Sequence, residues 1–484
     1  MPAAEDIHHK SDPSRSATNR SSSSVSYQIV ADVATAVDGA AILLAGCLSH
    51  FFYFSLFAAG SWQLTLTASA LGAFLTMIVF RRRGLYMPSR LVRWWDVIGK
   101  IGATWALIFL SIVTIGFLAK ISGTYSRGWA LAWFASALLF LFAARVIVYG
   151  AIRHPSIAPF LVRRVAIVGS NEQARQLVDH FTDSGEDIEI VGVYTNPFST
   201  PDHHPTLPTQ GNLEDLLADI QGKQIFDVIL ALHHHDDAHI WAVTEMLAEL
   251  PVSVRLAPDV FDLKSNHLRT EKVGSVNTPV LLSPPFLGWN RIIKGLEDRL
   301  MAVAFLIFFA PLFLVVSIAI KLESKGPVFF IQRRHGFNHE IIDVIKFRTM
   351  TTLDDGDHIV QATRNDSRIT RVGRILRRSS MDELPQLLNV LKGQMSIVGP
   401  RPHAIAHNEM YAAMIGSYSK RHIVKPGITG WAQINGYRGE TRDPSMMEKR
   451  IEYDLHYIEN WSLWFDIKII LLTPFRGLIH PNAH

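Results

Sequence analysis

Four long apolar segments dominate the first third of the chain. They cover residues 32–57, 62–80, 99–119 and 128–149. Each is long enough for a helix that crosses a hydrocarbon core of ~30 Å, which takes about 20 residues. The sequence therefore predicts four transmembrane helices within residues 28–150. The serine-rich residues before them, 1–27, contain too little apolar surface to fold and are predicted to form a disordered tail.

Basic residues predict the orientation of this helical block. Arginines at 81–83 lie between the second and third segments and Arg153 follows the fourth, whereas the other two connections contain only Lys120 and Arg127. Because cytoplasmic loops are enriched in Lys and Arg, both ends of the block are predicted to face the cytoplasm. Asp38, just inside the first segment, is interpreted as an interfacial or helix-paired carboxylate.

Residues 160–282 alternate between strand and helix patterns. Strands are predicted at 164–168, 188–194, 226–232 and 252–256. This alternation indicates a parallel sheet in a Rossmann-like cytoplasmic domain. The first turn resembles a dinucleotide fingerprint, but Asn171 replaces the second glycine, and Thr195 and Asn196 stand where an acid would bind ribose. A structural or regulatory domain is therefore favoured over an active dehydrogenase. The run 233–237 (His-His-His-Asp-Asp) can bind metal but is interpreted as a solvated loop.

A fifth apolar segment, Leu300 to Ile320, contains no charged residue. Its length alone predicts another spanning helix. However, basic residues flank both ends, and a spanning helix would place one flank outside the cell. Pro311 removes a backbone hydrogen bond in the middle, which kinks or breaks a helix. We expect a re-entrant helix over 296–322, within a monotopic α/β catalytic domain at 290–484; a kinked crossing is the alternative.

Polar motifs cluster after this segment. In order they are Gln332-Arg333-Arg334-His335-Gly336, Lys346-Phe347-Arg348-Thr349-Met350, Asp366-Ser367-Arg368-Ile369-Thr370, the run 373–386 (GRILRRSSMDELPQ), Gly399-Pro400-Arg401-Pro402 and Lys425-Pro426-Gly427-Ile428-Thr429-Gly430. Guanidinium groups beside a membrane helix indicate binding of phosphate or of anionic lipid headgroups.

The adjacent acids Asp382 and Glu383 have two interpretations. Asp382 can be the N-cap of the following helix, with Pro385 in its first turn. Alternatively, a carboxylate next to Arg377 and Arg378 can act as a nucleophile that forms an acyl phosphate. The spacing alone does not decide between these two roles.

Composition agrees with a membrane protein. Hydrophobic residues make up 48% and charged residues 19% of the chain, against about 25% charged in soluble domains. The net charge of +4 is small and the basic residues are clustered, which favours a membrane surface and anionic substrates over nucleic acid. Cys47 is the only cysteine, so an internal disulfide and a thiolate metal cluster are excluded.

The collinear motifs of residues 290–484 resemble the polyprenyl-phosphate hexose-1-phosphate transferases, bacterial sugar transferases that begin exopolysaccharide repeat units. The helical and Rossmann-like half resembles the long form, notably members that initiate xanthan-type polysaccharides. One departure is Ala310 before Pro311, where some members have serine. The resemblance implies transfer of a hexose-1-phosphate, with glucose the favoured hexose, from a UDP-sugar to undecaprenyl phosphate. UMP is released, and Mg²⁺ is the implied cofactor.

The resemblance also implies roles for individual residues. Asp382 would form a covalent phosphosugar intermediate, and Glu383, with Asp382, would bind Mg²⁺. Arg377 and Arg401 would stabilise the transferring phosphate. The remaining implied substrate-binding residues are Gln332, Arg334, Lys346, Arg348 and Arg378.

The implied location is the bacterial inner membrane, with the catalytic domain on its cytoplasmic face. A homodimer and downstream glycosyltransferases are compatible partners. Two other functions stay open: a membrane-tethered NAD-dependent nucleotide-sugar epimerase or dehydrogenase, and a non-catalytic polysaccharide-assembly scaffold. The stretch 461–472 is interpreted either as an interfacial amphipathic helix or as a core helix.

Overall fold

The computed structural model describes residues 27–56, 61–87, 90–91, 93–154, 163–183, 188–196, 207–223, 225–232, 237–258, 270–274, 276–351, 368–403, 405–437 and 444–477. The tail and the histidine run at 233–236 lie outside these residues. The chain forms two compact units, Met1–Arg163 and Arg164–His484.

The first unit is built from four long helices. They are α1 (Tyr27–Leu56), α2 (Trp62–Arg82), α3 (Ile98–Leu118) and α4 (Arg127–Arg153), with a 3₁₀ turn at Trp94–Val97 before α3. These helices coincide with the four predicted apolar segments. Among the described residues, five helices are long and apolar enough to cross a membrane: these four and the helix at Trp289–Glu323. The protein is a membrane protein.

Tryptophans of α4 join that helix to α1. The rings of Trp129 and Trp133 stack with centroids 5.3 Å apart. Their indole N–H groups donate to the carbonyl oxygens of Gly46, at 3.4 Å, and Ile42, at 3.2 Å. Lipid chains contain no hydrogen-bond acceptor for an indole N–H. The carbonyl oxygens of α1 therefore supply the acceptors for both tryptophans inside the bundle.

A buried ion pair also links α1 to α4. The Asp38 carboxylate accepts a hydrogen bond from Arg145 Nη2 at 2.6 Å, and the two side chains are 1% and 2% exposed. A charge in an apolar bundle requires such a partner. The interpretation of Asp38 as a helix-paired carboxylate is confirmed.

The α/β part of the second unit contains six strands and three helices among the described residues. The strands are β1 (Arg163–Val168), β2 (Ile188–Tyr194), β3 (Asp227–Leu230), β4 (Ser253–Leu256), β5 (Thr270–Val273) and β6 (Val276–Leu282). The helices are α5 (Glu172–Asp183), α6 (Leu213–Lys223) and α7 (Asp237–Leu247).

The strand order in this sheet is β2-β1-β3-β4-β6-β5. Pairing is parallel between β1 and β3 and between β3 and β4, but β6 runs antiparallel to β4 and to β5. The prediction of a parallel sheet is therefore wrong at this edge, where a short hairpin replaces a helical crossover. The order 2-1-3-4 is that of flavodoxin-like sheets and not the Rossmann order.

Asn171 occupies the place where such sheets bind ligands. In doubly wound sheets that place is the crevice where the strand order reverses, here between β1 and β3. Asn171 Nδ2 donates to the carbonyl of Ala231 at 2.9 Å, and its Oδ1 accepts from the amide of Ala174 at 3.0 Å. Gly169 has a φ of 126° and lies against the Ala231 carbonyl, so that an added Cβ would be 2.1 Å from that oxygen. The residue that departs from the fingerprint thus caps α5 and fastens β1 to β3.

The rest of the second unit packs around one long helix, α8 (Trp289–Glu323). Its other elements are β7 (Phe329–His335), β8 (Ile341–Phe347), α9 (Arg371–Ser379), α10 (Gln386–Leu391), β9 (Ser396–Val398), α11 (Ile405–Met414), β10 (Gly427–Thr429), α12 (Trp431–Ile434), α13 (Pro444–Glu459) and α14 (Leu463–Leu472), with 3₁₀ turns at Met381–Glu383 and Ser419–Ile423. The β7 and β8 strands form an antiparallel hairpin, and β9 pairs in parallel with β10.

Both ends of α8 contact this part of the unit. Near its beginning, Asp298 accepts from Ser396 Oγ at 2.9 Å and from the Ile397 amide at 3.0 Å. At its end, Glu323 accepts from the amides of Arg371 at 2.6 Å and Val372 at 2.9 Å. The helix continues through Pro311 without interruption.

The middle of α8 leaves large apolar side chains uncovered. Ile307 and Phe308 are 72% and 74% exposed. The α14 helix continues this character: it buries Asp466 and Ile469 but exposes 78% of Trp464. It therefore combines the two predicted possibilities, with one face in the core and an exposed apolar face.

Candidate active site

The β7–β8 hairpin brings predicted site residues to one face. Side chains alternate along a strand, and directly paired residues of an antiparallel hairpin share a face. Gln332 pairs with Val344 and Phe330 with Lys346, so Gln332, Arg334 and Lys346 point the same way. Arg334 Nη2 donates to Gln332 Oε1 at 2.7 Å, and its Nη1 donates to the carbonyl of Pro402 at 2.9 Å.

The adjacent acids lie in a 3₁₀ turn between α9 and α10. Ser380 ends α9 in the left-handed region, with φ of 56°, and reverses the chain. Met381–Glu383 form the turn, and Pro385 is the N-cap position of α10. The helix predicted after the acids is present, but the interpretation of Asp382 as its N-cap is wrong.

Glu383 is the buried centre of an ion-paired cluster. Its Oε1 accepts from Lys346 Nζ at 2.9 Å and from Arg401 Nη2 at 2.7 Å, and its Oε2 accepts from Arg401 Nη1 at 2.9 Å. This two-point contact with the guanidinium is the strong, charge-assisted geometry. Glu383 is 5% exposed. Burial lowers the pKa of Lys346 even though Glu383 opposes that effect.

Asp382 has a different environment from its neighbour. Within the described part of the chain its carboxylate has no hydrogen-bond or ion-pair partner, although it is half-buried. Burial, and then repulsion by Glu383, raises the pKa of Asp382 to about 6, while Lys346, Arg377 and Arg401 pull it down. At neutral pH it is therefore an ionised, unpaired carboxylate beside three cations, as a nucleophile toward a phosphate requires.

The two neighbouring arginines of α9 diverge. Arg377 lies near Asp382, and its Nη1 is buried with no hydrogen-bond partner among the described residues. A buried donor of this kind is suited to a phosphate oxygen. Arg378 is exposed on another side of the helix. The structure thus brings Arg377, and not Arg378, to the candidate site.

Arg348 is held away from the cluster. Its Nη1 donates to the carbonyl of Lys325 at 2.8 Å, and its Nη2 donates to the carbonyl and Oγ of Ser324, each at 2.8 Å. The side chain is buried and fastens β8 to the end of α8. The structure therefore gives this guanidinium a structural partner in place of the substrate phosphate expected from the sequence.

A second polar layer, not anticipated from the sequence, supports Arg401. Arg421 Nη2 donates to the carbonyl of Arg401 at 2.7 Å and to Asp454 Oδ2 at 2.8 Å. The ring of His403 lies between Arg421 and Arg450. Burial, and then these two cations, hold the pKa of His403 well below its usual range. No motif marks Arg421 or Asp454, because their role arises only when the 3₁₀ turn at Ser419–Ile423 packs against α13.

The carboxylates fit Mg²⁺ only in part. This ion is commonly held by one or two carboxylates together with substrate phosphates and water. Asp382 offers unpaired oxygens, whereas both oxygens of Glu383 already accept from Lys346 and Arg401. Across the described residues, no group of three or more His, Cys, Asp or Glu is arranged to hold a metal. A metal site here would rest on Asp382 and the substrate.

The site cluster lies within a part of the chain that matches a known protein family. The family model described as bacterial sugar transferase matches residues 289–480, which contain the whole cluster. The UDP-glucose:undecaprenyl-phosphate glucose-1-phosphate transferase of Escherichia coli (strain K12) is 39% identical over 420 residues, 85% of this chain and 89% of that protein. The chain belongs to the bacterial sugar transferase family.

Two further relatives of this sugar transferase are similar over most of their length. The protein of the same name from Xanthomonas campestris pv. campestris is 40% identical, over 79% of this chain and 81% of its own. The undecaprenyl-phosphate glucose phosphotransferase of Komagataeibacter xylinus is 37% identical, over 72% of this chain and 66% of its own. A family model described as a CoA-binding domain matches residues 81–258, from the end of α2 to two residues beyond β4.

The contacts of Glu383 predict how its substitution acts. Removal of one partner from a buried ion pair leaves the other charges uncompensated, at a cost of about 3–5 kcal/mol. We expect Glu383→Ala to lower the free energy of unfolding by about 3 kcal/mol, and to do so equally in EDTA and in Mg²⁺. Thermal or denaturant unfolding of the detergent-purified protein under both conditions measures this.

Glu340→Ala, at an exposed position beyond β7, is the matched control and should leave unfolding unchanged. If Glu383→Ala were as stable as the parent without metal, and lost only stabilisation by added Mg²⁺, Glu383 would be a metal ligand and the ion-pair account would be wrong.

Proposed function

We propose that this sugar transferase moves glucose-1-phosphate from UDP-glucose to undecaprenyl phosphate and releases UMP, as the first step of exopolysaccharide assembly. The observation that carries the proposal is the unpaired Asp382 carboxylate beside Lys346, Arg377 and Arg401. The names of the E. coli and Xanthomonas relatives supply the two substrates.

The first step would form a covalent intermediate on Asp382. One carboxylate oxygen attacks the phosphorus that carries the glucose and forms a new P–O bond. The bond from that phosphorus to the bridging oxygen breaks, and UMP leaves with the electron pair. No proton transfer is required, since the nucleophile is already ionised and the leaving phosphate is anionic.

The second step would return the carboxylate. A phosphate oxygen of undecaprenyl phosphate attacks the same phosphorus, and the acyl–phosphate bond breaks toward Asp382. The product is undecaprenyl diphosphate linked to glucose. Since one phosphoanhydride bond replaces another, the overall transfer needs no further energy source.

The cations around Asp382 would provide most of the transition-state stabilisation. In phosphoryl transfer the dominant contribution is stabilisation of charge on the transferring oxygens by fixed donors. Arg377 offers its unpartnered Nη1, and Arg401 and Lys346 are held in place by Glu383. Glu383 would thus act by positioning two cations.

Mg²⁺ remains part of the proposal as a partner of the substrate diphosphate. When bound, it would neutralise charge on the phosphate groups. Of the two predicted ligands, Asp382 has oxygens available, and Glu383 could join only by exchanging its contacts with Lys346 or Arg401.

We also propose that α8 enters and leaves the inner membrane on the cytoplasmic side. A straight helix of 35 residues would be about 50 Å long at about 1.5 Å per residue, longer than the hydrocarbon core. Yet Asp298 and Glu323, toward its two ends, both bond to the catalytic part of the same unit. That arrangement, with exposed apolar residues between and Pro311 at the centre, supports a re-entrant helix and a cytoplasmic active site.

Substitution of the nucleophile tests the transfer mechanism. We expect Asp382→Asn to abolish UMP release and lipid-linked product, and the same change to remove the covalent sugar-phosphate adduct. The purified protein is incubated with a panel of labelled UDP-sugars and undecaprenyl phosphate. Full transfer by the variant would refute the covalent mechanism, and no transfer by the parent from any UDP-sugar would favour a scaffold.

The raised pKa of Asp382 predicts how the rate of UMP release falls at acidic pH. Only the ionised carboxylate attacks phosphorus, and its pKa is about 6. UMP release in the absence of the lipid acceptor should therefore fall about tenfold for each pH unit below about 6 and reach a plateau above 7. If the rate instead fell only below about pH 4, near the pKa of an ordinary aspartate, the environment described for Asp382 would be contradicted.

Cysteine labelling tests the membrane path of α8. In a Cys47→Ser background, Asn290→Cys lies in the first turn of the helix and Lys325→Cys just beyond its end, both at exposed positions. An impermeant maleimide should label both in inverted membrane vesicles and neither in spheroplasts. Thr124→Cys, between α3 and α4, is the control and should show the opposite pattern. Labelling of positions 290 and 325 from opposite sides would establish a crossing helix.

A further inference from the structure

The outward face of α9 carries arginines that the proposed transfer does not use. In an α-helix, residues at i, i+3 and i+7 lie on one face. Arg371, Arg374 and Arg378 have this spacing and are exposed, with Ile375 among them 68% exposed. Leu376 is buried on the opposite side. Arg377, between the two faces, is the arginine near Asp382.

Contacts with α8 place this face beside a membrane segment. The first two amides of α9 donate to the carboxylate of Glu323, the last residue of α8. Leu376 packs in one cluster with Val316 and Ile320 of α8. The buried face of α9 is therefore fixed to the end of the helix that we propose to be re-entrant, which puts its arginines at the level of the lipid headgroups.

Charge favours a lipid surface as the partner of this face. Among the described residues neither Arg374 nor Arg378 has an ion-pair partner, and Ile375 adds an exposed apolar side chain between them. Basic residues around an apolar one are typical of helices that lie on anionic bilayers. A nucleotide phosphate bound at Asp382 would instead meet Arg377.

We propose that Arg371, Arg374 and Arg378, with Ile375, form a docking surface for the anionic phospholipid headgroups of the membrane that holds α8. The inference rests on the proposed membrane path of α8. The surface holds α9 against the bilayer, so that Arg377 and Asp382 stay where a membrane-bound phosphate arrives. Each basic residue contributes about a fivefold preference for the anionic surface, so removal of two costs about 25-fold.

A spin label at position 375 measures this docking without measuring turnover. The full chain, as Cys47→Ser with Ile375→Cys labelled by a nitroxide, is placed in nanodiscs of phosphatidylcholine alone or of equal parts phosphatidylcholine and phosphatidylglycerol. We expect a water-soluble nickel chelate to relax the label several-fold less in the anionic nanodiscs. High salt should reverse the difference, because it screens the exposed charges.

Two comparison proteins make the result decisive. Arg374→Gln with Arg378→Gln should make the label as accessible as one at Glu448, an exposed residue of α13. Lys392→Gln with Lys449→Gln removes the same charge at other exposed positions and should leave the label protected. Equal accessibility in both lipid mixtures, or equal loss of protection with the control pair, would overturn the proposal. Because the label reports position only, an absence of sugar transfer would reject the proposed function alone.

Discussion

The buried carboxylate of Glu383 is the contact on which the active-site arrangement depends. It joins three segments that are distant in sequence: β8 through Lys346, the 3₁₀ turn through its own backbone, and the loop after β9 through Arg401. One buried carboxylate and two half-buried cations can coexist there because each hydrogen bond is charge-assisted and the Arg401 contact involves both oxygens. The cations are therefore fixed before any substrate arrives, which is the condition for effective stabilisation of a phosphoryl transition state.

Adjacent acids acquire different chemistry from this arrangement. Glu383 uses its charge to hold Lys346 and Arg401, and its own negative charge then raises the pKa of Asp382. The same cations limit that rise, so Asp382 is still ionised at neutral pH. Two carboxylates in neighbouring positions thus divide into an anchor and an unpaired carboxylate, the one we propose as nucleophile, as environments commonly divide paired acids in enzymes.

Features that depend on local pattern were predictable. The four helices of the first unit follow from apolar length, and β2 was predicted with the bounds that it has, Ile188–Tyr194, from its β-branched run. Features set by tertiary contact were not. Arg348 and Arg377 occur in similarly basic motifs, yet one binds the end of α8 and the other faces Asp382. The antiparallel β5–β6 edge was missed even though the sequence carries a hairpin signal there: Gly274 and Ser275 separate two short strand-like runs, and Gly274 has a φ of 60°.

The role of Glu383 as a metal ligand was implied by the resemblance of its motif and stays a prediction. A motif shows that two acids are adjacent, but it does not show which of them has a cation already bound to each oxygen. Arg421 illustrates the opposite case: it carries no recognisable motif, yet it bonds the carbonyl of Arg401 and the buried Asp454. Because Arg334 bonds the next carbonyl, that of Pro402, the loop that presents Arg401 is held by its backbone as well as by its side chain. The Arg401 guanidinium therefore has little freedom to turn away from Glu383. If it stabilises the transferring phosphate as we propose, the entropy of placing it is lost during folding and not during catalysis.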